Sequence, residues 1–124
     1  MMDIESRKDI EDLMTAFYVK AFKDDVIGFY FTEVSKLDLG KHLPVIADFW
    51  ESILLGGVNY KGNPMDAHKY LNESVPFKAE HFDRWAKLFC ETVDELFSGD
   101  IAEMAKQRGL SISTVMKIKF VHGK

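Results

Sequence analysis

The chain has one cysteine, no long hydrophobic run and no excess of basic residues. Because Cys90 has no second cysteine to pair with, an internal disulfide is excluded, and a reducing, cytoplasmic location is expected. No apolar stretch approaches the roughly 20 residues of a membrane-spanning helix. The formal net charge of −4 argues against nucleic-acid binding, which needs a basic face. The strongly acidic first residues do not resemble a signal or transit peptide.

Strand-like alternation, internal repeats and low-complexity tracts are also missing from the 124 residues. A chain of this length is large enough for a real core, and we expect a single domain over residues 1–124 with its core in about residues 10–120. Aromatic residues, by contrast, are abundant, with 10 Phe, 4 Tyr and 2 Trp. These rings could serve only as bulky packing, or they could line a pocket for a flat, apolar ligand.

Apolar residues recur at helical spacing along most of the chain. The first such segment has a helix-start pattern at Ser6 and Asp9. Pro44 is expected in the first turn of a later helix, where proline is tolerated, and Gly56 and Gly57 should end that helix. The spacing predicts four long helices, over about 6–22, 41–55, 79–97 and 101–120, and a helical turn over 27–31. The expected fold class is all-α.

A short helix is predicted to begin at Asn63-Pro64, because asparagine caps helices well and proline suits the first helical position. Met65 and His68 lie three residues apart and therefore share one face of this helix. Two roles are open for His68. It could be a buried core histidine satisfied by backbone groups, or it could be an axial ligand to a metal or haem iron, since neutral imidazole is the commonest protein metal ligand.

Three further side chains place polar hydrogens on apolar helix faces. Tyr18 lies on the apolar stripe of the first helix, the row of apolar residues expected to face the core. There its hydroxyl needs either a backbone carbonyl or a polar pocket. His42 begins the stripe of the second long helix, and Trp85 brings an indole N–H to the stripe of a later one. By contrast, His81 lies one position before that later stripe and should be solvated, and Cys90 should be an inert buried thiol.

In their order and spacing these features resemble the truncated haemoglobins, and most closely their third group. The resemblance covers about residues 10–120. It rests on Phe17-Tyr18, Phe31, His42, Phe49-Trp50, Leu54-Leu55-Gly56, Gly62-x-Pro64-x-x-x-His68 and Phe82-x-x-Trp85-x-x-x-Phe89. The first two groups carry glycine motifs near the first helix junction and just before the proximal helix, whereas this chain has no glycine before Gly28. The resemblance implies a globin-like, two-over-two helical sandwich around a haem.

The resemblance also implies residue roles. His68 would be the proximal ligand of the iron of haem b, and Phe31 would pack against the macrocycle. Tyr18, His42 and Trp85 would surround the distal position and stabilise a bound ligand. The full set expected to bind the cofactor is Phe31, His42, Ile46, Phe49, Trp50, Met65, His68, Phe82 and Trp85. Basic candidates for the haem propionates are Lys41, Lys61, Lys69 and Arg84.

The implied function is binding of O2, CO, NO or cyanide at the iron. A strongly hydrogen-bonding pocket suits holding O2 for redox chemistry, such as NO detoxification to nitrate or a peroxidase-like step, rather than bulk O2 transport. Either reaction needs electrons from a separate reductase, because no flavin or nicotinamide fingerprint occurs in the sequence. The alternative is a non-haem, all-helical protein-interaction or regulatory module, in which the histidines are ordinary polar residues and the aromatic rings are only core.

Overall fold

A computed structural model describes residues 1–58, 60, 62 and 64–122, without the side chains of residues 64–67 and 70. These residues contain no β-strand, and the all-α prediction is confirmed. The α-helices are α1 Arg7–Lys23, α2 Leu39–Leu54, α3 Pro64–Ser74, α4 Ala79–Leu96 and α5 Asp100–Lys117. Short π-helical turns cover Tyr30–Val34 and Ile118–His122. In the described part of the chain, no helix has the length and apolar character needed to cross a bilayer.

Helix α1 begins where its capping pattern predicts. The Ser6 hydroxyl accepts a hydrogen bond from the Asp9 N–H at 3.3 Å, and the Asp9 carboxylate accepts one from the Ser6 N–H at 3.2 Å. This reciprocal pair satisfies two N–H groups that the helix leaves unpaired. The predicted apolar stripe is buried: Ile10, Leu13, Met14, Phe17, Tyr18 and Ala21.

Helix α2 begins two residues earlier than predicted. Asp38 is its N-cap and accepts a hydrogen bond from the Lys41 N–H at 3.3 Å. Pro44 therefore lies in the second turn, and the expectation that it lies in the first turn is wrong. At this position proline removes the helical hydrogen bond to the Gly40 carbonyl. Gly56, with φ +76°, then ends the helix as expected, because glycine adopts this left-handed conformation without steric cost.

The four long helices pack as two pairs. Helix α1 packs on α2, α4 packs on α5, and further contacts join α1 to α4 and α2 to α5. Large, fully buried side chains fill the space between the pairs, among them Phe17, Trp50 and Phe89. A smaller apolar cluster lies near α3 and the end of the chain and comprises Tyr30, Phe77, Phe82, Met116 and Phe120.

Helices α4 and α5 approach each other closely at Gly109. Glycine in a helix interior costs about 1 kcal/mol relative to alanine. A Cβ at Gly109 would lie 2.7 Å from the Phe89 ring, closer than real Cβ contacts allow. The absence of a side chain here therefore lets the Phe89 ring pack directly on the α5 backbone.

Candidate functional site

An apolar cavity of about 500 Å³ is lined by residues of all five α-helices and borders both apolar clusters. Cavities that bind small molecules and cofactors typically measure roughly 300–1,000 Å³ and have apolar walls with a few polar groups. The polar side chains in this wall belong mainly to tyrosines, histidines and one tryptophan: Tyr18, Tyr30, Tyr60, His42, His68, His81 and Trp85. The cavity thus combines flat apolar surfaces with a small set of hydrogen-bonding groups.

Tyr18 and His42 form a hydrogen-bonded pair in the cavity wall. The Tyr18 hydroxyl lies 3.3 Å from His42 Nε2, so its partner is a side chain rather than a backbone carbonyl. Burial raises the pKa of Tyr18, which keeps the phenol protonated. Burial also lowers the pKa of His42, and the nearby His68 lowers it further, so the imidazole is neutral at pH 7. The pair is uncharged and lies beside an apolar space.

Aromatic neighbours fix the plane of Trp85. Its ring stacks on Phe89 with a centroid distance of 5.2 Å and an angle of 4°, and the edge of Phe17 meets it at 5.6 Å. Phe89 also stacks on Trp50, at 4.8 Å. The Trp85 indole N–H makes no hydrogen bond to any described residue, and the side chain lines the cavity. It is therefore available as a donor to a ligand.

Phe31 lies at the corner between α1 and α2. It stacks on Phe22 with a centroid distance of 5.4 Å and receives an edge contact from Tyr18 at 5.6 Å. These contacts hold the ring in the cavity wall, next to the Tyr18–His42 pair.

His68 lies on α3, half-buried in the cavity wall. Its ring centroid is 6.2 Å from that of Phe77. Besides burial, the nearby His68 imidazole lowers the pKa of His42, because two positive charges in one site would repel each other. Helix α3 begins at Pro64 as predicted, whereas its proposed cap, Asn63, lies outside the described residues.

The structure brings together around this cavity the predicted site residues whose side chains are described. These are Tyr18, Phe31, His42, Ile46, Phe49, Trp50, His68, Phe82 and Trp85. The side chain of Met65 lies outside the described residues. The contact of each residue with a bound cofactor stays a prediction.

The expectation that His81 is solvated is wrong. Its side chain is only 8% exposed and lines the cavity. Nδ1 accepts a hydrogen bond from the Lys78 N–H at 3.0 Å and lies 3.4 Å from the Tyr30 hydroxyl oxygen. His81 is the third residue of α4, a position from which side chains reach back to the N-cap N–H. The third position of a helix is therefore the feature of the sequence that could have predicted its burial.

Of the basic residues predicted for the propionates, the three that the structure describes are not part of the cavity wall. Arg84 forms an ion pair with Asp24 at 2.8 Å and is not part of the cavity wall. Lys41 and Lys69 are exposed and also absent from that wall, and Lys61 lies outside the described residues. Cys90 is half-buried rather than buried, and burial raises the pKa of its thiol, which favours the unreactive protonated form.

Comparison with known proteins identifies the family. No protein-family model matches the chain. The chain is 31% identical over 112 residues to a group 3 truncated hemoglobin of Campylobacter jejuni, which corresponds to 88% of this chain and 86% of that protein. The chain belongs to the group III truncated haemoglobins. The crystal structure of group III truncated hemoglobin from Campylobacter jejuni matches 99% of this chain and 98% of its own, with a TM-score of 0.83 and 28% identity.

The predicted globin-like fold is therefore confirmed, and membership of the truncated haemoglobin family implies haem binding. The cavity of this truncated haemoglobin suits a haem. Its volume is about 500 Å³, its walls are largely aromatic and aliphatic, and His68 brings an imidazole to one wall. Imidazole in an apolar pocket is the usual donor to haem iron in globins.

Proposed function

We propose that this truncated haemoglobin holds haem b in the cavity through His68 and binds O2, CO, NO or cyanide there. A histidine-ligated haem iron supplies an open coordination position for such small ligands. The observation that supports the proposal is the convergence of His68, the Tyr18–His42 pair and the Trp85 N–H on one apolar cavity. We further propose that residues 1–124 form a single globin domain, and the one cysteine supports a cytoplasmic location.

The Tyr18–His42 pair is the main polar feature that a small ligand would meet. Since both groups are uncharged, either the phenol O–H or an imidazole N–H can turn toward a ligand atom with partial negative charge. Charge-assisted hydrogen bonds contribute about 1.5–3 kcal/mol. That energy corresponds to about ten- to a hundredfold in ligand residence. The Trp85 N–H is a second donor of the same kind.

A pocket that holds O2 this firmly suits its consumption better than its delivery. We propose NO detoxification, in which one O2, one NO and one electron give nitrate. An external reductase would supply the electron, because the sequence carries no flavin or nicotinamide fingerprint. The role of this chain is to retain O2 and to admit NO through an apolar cavity, since NO is itself nearly apolar.

A stopped-flow experiment tests this reaction. The oxygenated protein is mixed with NO, and the visible spectrum and nitrate yield are followed. Loss of the oxygenated spectrum with one nitrate formed per protein is expected. Tyr18→Phe is a matched variant, because it keeps the ring and removes only the hydroxyl, and it should hold less O2 before mixing. An oxygenated spectrum that survives NO would exclude NO detoxification and leave haem binding intact.

A further inference from the structure

His81 is a buried imidazole outside the Tyr18, His42 and Trp85 group. Its Nδ1 lies 3.0 Å from the Lys78 backbone nitrogen, whose N–H can only donate, so Nδ1 is the unprotonated nitrogen. Burial lowers the pKa of His81, with Glu80 opposing and Lys78 adding to that effect. The ring is therefore neutral at pH 7 and carries its proton on Nε2.

The Nε2–H of His81 has no hydrogen-bond partner among the described residues. In the described part of the chain, no side-chain nitrogen or oxygen is both unpaired and sealed off from open space. Because His81 is itself only 8% exposed and lines the cavity, the cavity is the open space next to this donor. A histidine whose Nε2–H has no partner among the described residues thus belongs to the wall of an apolar cavity.

The surroundings of His81 indicate which part of the pocket this donor serves. The Phe77 ring centroid lies 6.4 Å from that of His81 and 6.2 Å from that of His68. Phe29 also contacts His81, with centroids 5.9 Å apart. The donor therefore stands among aromatic rings on the His68 side of the cavity. In such an apolar setting, the acceptor that gains most from an N–H is a carboxylate.

We propose that His81 donates its Nε2–H to a carboxylate of the haem and thereby orients the group relative to His68. This inference rests on the proposed haem binding. It adds a neutral histidine of the cavity wall to the basic residues that could meet the carboxylates. Tyr30 supports the arrangement, since its hydroxyl lies 3.4 Å from Nδ1 and donates to the Val75 carbonyl at 2.9 Å.

Haem release from the holoprotein tests the proposal. Wild type, His81→Phe and His81→Gln are mixed with excess apoglobin, and transfer of haem is followed by absorbance. Loss of one charge-assisted hydrogen bond should speed release by about ten- to a hundredfold in His81→Phe. His81→Gln should release haem at nearly the wild-type rate, because glutamine at this helix position can accept from the N-cap N–H and still present an amide N–H. His122→Gln, at an exposed histidine, is the matched control.

Haem dimethyl ester, in which both carboxylates are blocked, separates this contact from general packing. With the ester, wild type and His81→Phe should release the group at equal rates. Two results would overturn the proposed carboxylate contact and leave haem binding intact. One is equal release of ordinary haem by wild type and His81→Phe, and the other is a difference between them that persists with the ester. If no variant and no wild-type sample takes up haem, the proposed function fails and this inference fails with it.

A measurement on the wild-type protein covers the case in which His81→Phe does not fold. Long-range ¹H–¹⁵N spectra of the ferrous CO complex report the tautomer of each imidazole. His81 should be protonated at Nε2, and that N–H resonance should shift when haem is replaced by its dimethyl ester. An Nδ1-protonated ring, or an N–H resonance that is the same with both groups, would overturn the proposal.

Discussion

At the scale of single residues, the cavity depends on how few polar groups it holds and where they lie. Tyr18 is 6% exposed and belongs to the innermost stripe of α1. Its hydroxyl pairs with the His42 side chain of helix α2 rather than with a backbone carbonyl. The sequence placed the phenol on a buried face but could not name its partner, because a contact between residues 24 positions apart depends on how α1 and α2 cross.

Tyr18→Phe tests the role of this hydroxyl. The substitution keeps the ring that meets Phe17 and Phe31 and removes one hydrogen-bond donor. Dissociation of O2 should become about ten- to a hundredfold faster, the equivalent of about 1.5–3 kcal/mol. Dissociation of CO, which carries less negative charge when bound, should change less. Flash photolysis or stopped-flow displacement measures both rates, and an unchanged O2 rate would contradict the role.

At the scale of elements, the periodicity of apolar residues predicts the four long helices. It does not predict where α2 begins or that His81 is buried. Pro44 was expected near a helix start, yet Asp38 caps α2 earlier and leaves the proline in the second turn. The position of His81, one residue before the apolar stripe and in the first turn of its helix, predicts a solvated side chain. In the structure, His81 Nδ1 instead accepts a hydrogen bond from the Lys78 N–H at the start of α4, and this local bond holds the side chain against the protein.

Gly109→Ala tests the close approach of α4 and α5. Alanine would gain about 1 kcal/mol of helix propensity, but its Cβ would meet the Phe89 ring at 2.7 Å. That ring stacks on both Trp50 and Trp85 and cannot easily yield. Overpacking typically costs about 1–3 kcal/mol. Set against the propensity gain of about 1 kcal/mol, this predicts a net destabilisation of up to about 2 kcal/mol in urea unfolding.

Gly40→Ala is the matched control for that measurement. Gly40 is also helical, and the nearest atom to a Cβ there is the Asp38 carboxylate oxygen that caps α2, at 3.3 Å. The Asp38 side chain is exposed and can shift by a few tenths of an ångström. This substitution should be neutral or stabilising. A stability gain at Gly109 equal to that at Gly40 would show that the Phe89 contact does not limit packing.

At the scale of the whole molecule, two carboxylates join segments far apart in the sequence. Asp3 accepts hydrogen bonds from the N–H groups of Ile101 and Ala102, which caps α5 with the N-terminal segment. Asp24, at the end of α1, pairs with Arg84 of α4. Burial raises the pKa of each carboxyl, but the hydrogen bonds outweigh it and hold both pKa values below the usual range.

These lowered pKa values predict a loss of stability in acid. A carboxyl whose pKa is lower in the folded state stabilises the fold above its unfolded pKa of about 4, and this contribution disappears as pH falls through the folded value. Asp24→Asn should therefore be less stable than wild type at pH 7, and the difference should shrink below about pH 4. Urea unfolding across this range measures it, and a difference independent of pH would contradict the assignment.

Haem bound through His68 underlies every ligand-binding role proposed for this protein. The most direct test is the visible absorption spectrum of the purified protein in the ferric, reduced and reduced-plus-CO states, for wild type, His68→Ala and the control His122→Ala. We expect a Soret band that shifts sharply with CO in wild type and in His122→Ala, and that is displaced or lost in His68→Ala. Absence of a Soret band even after haemin is added, or an unchanged band in His68→Ala, would contradict the central claim.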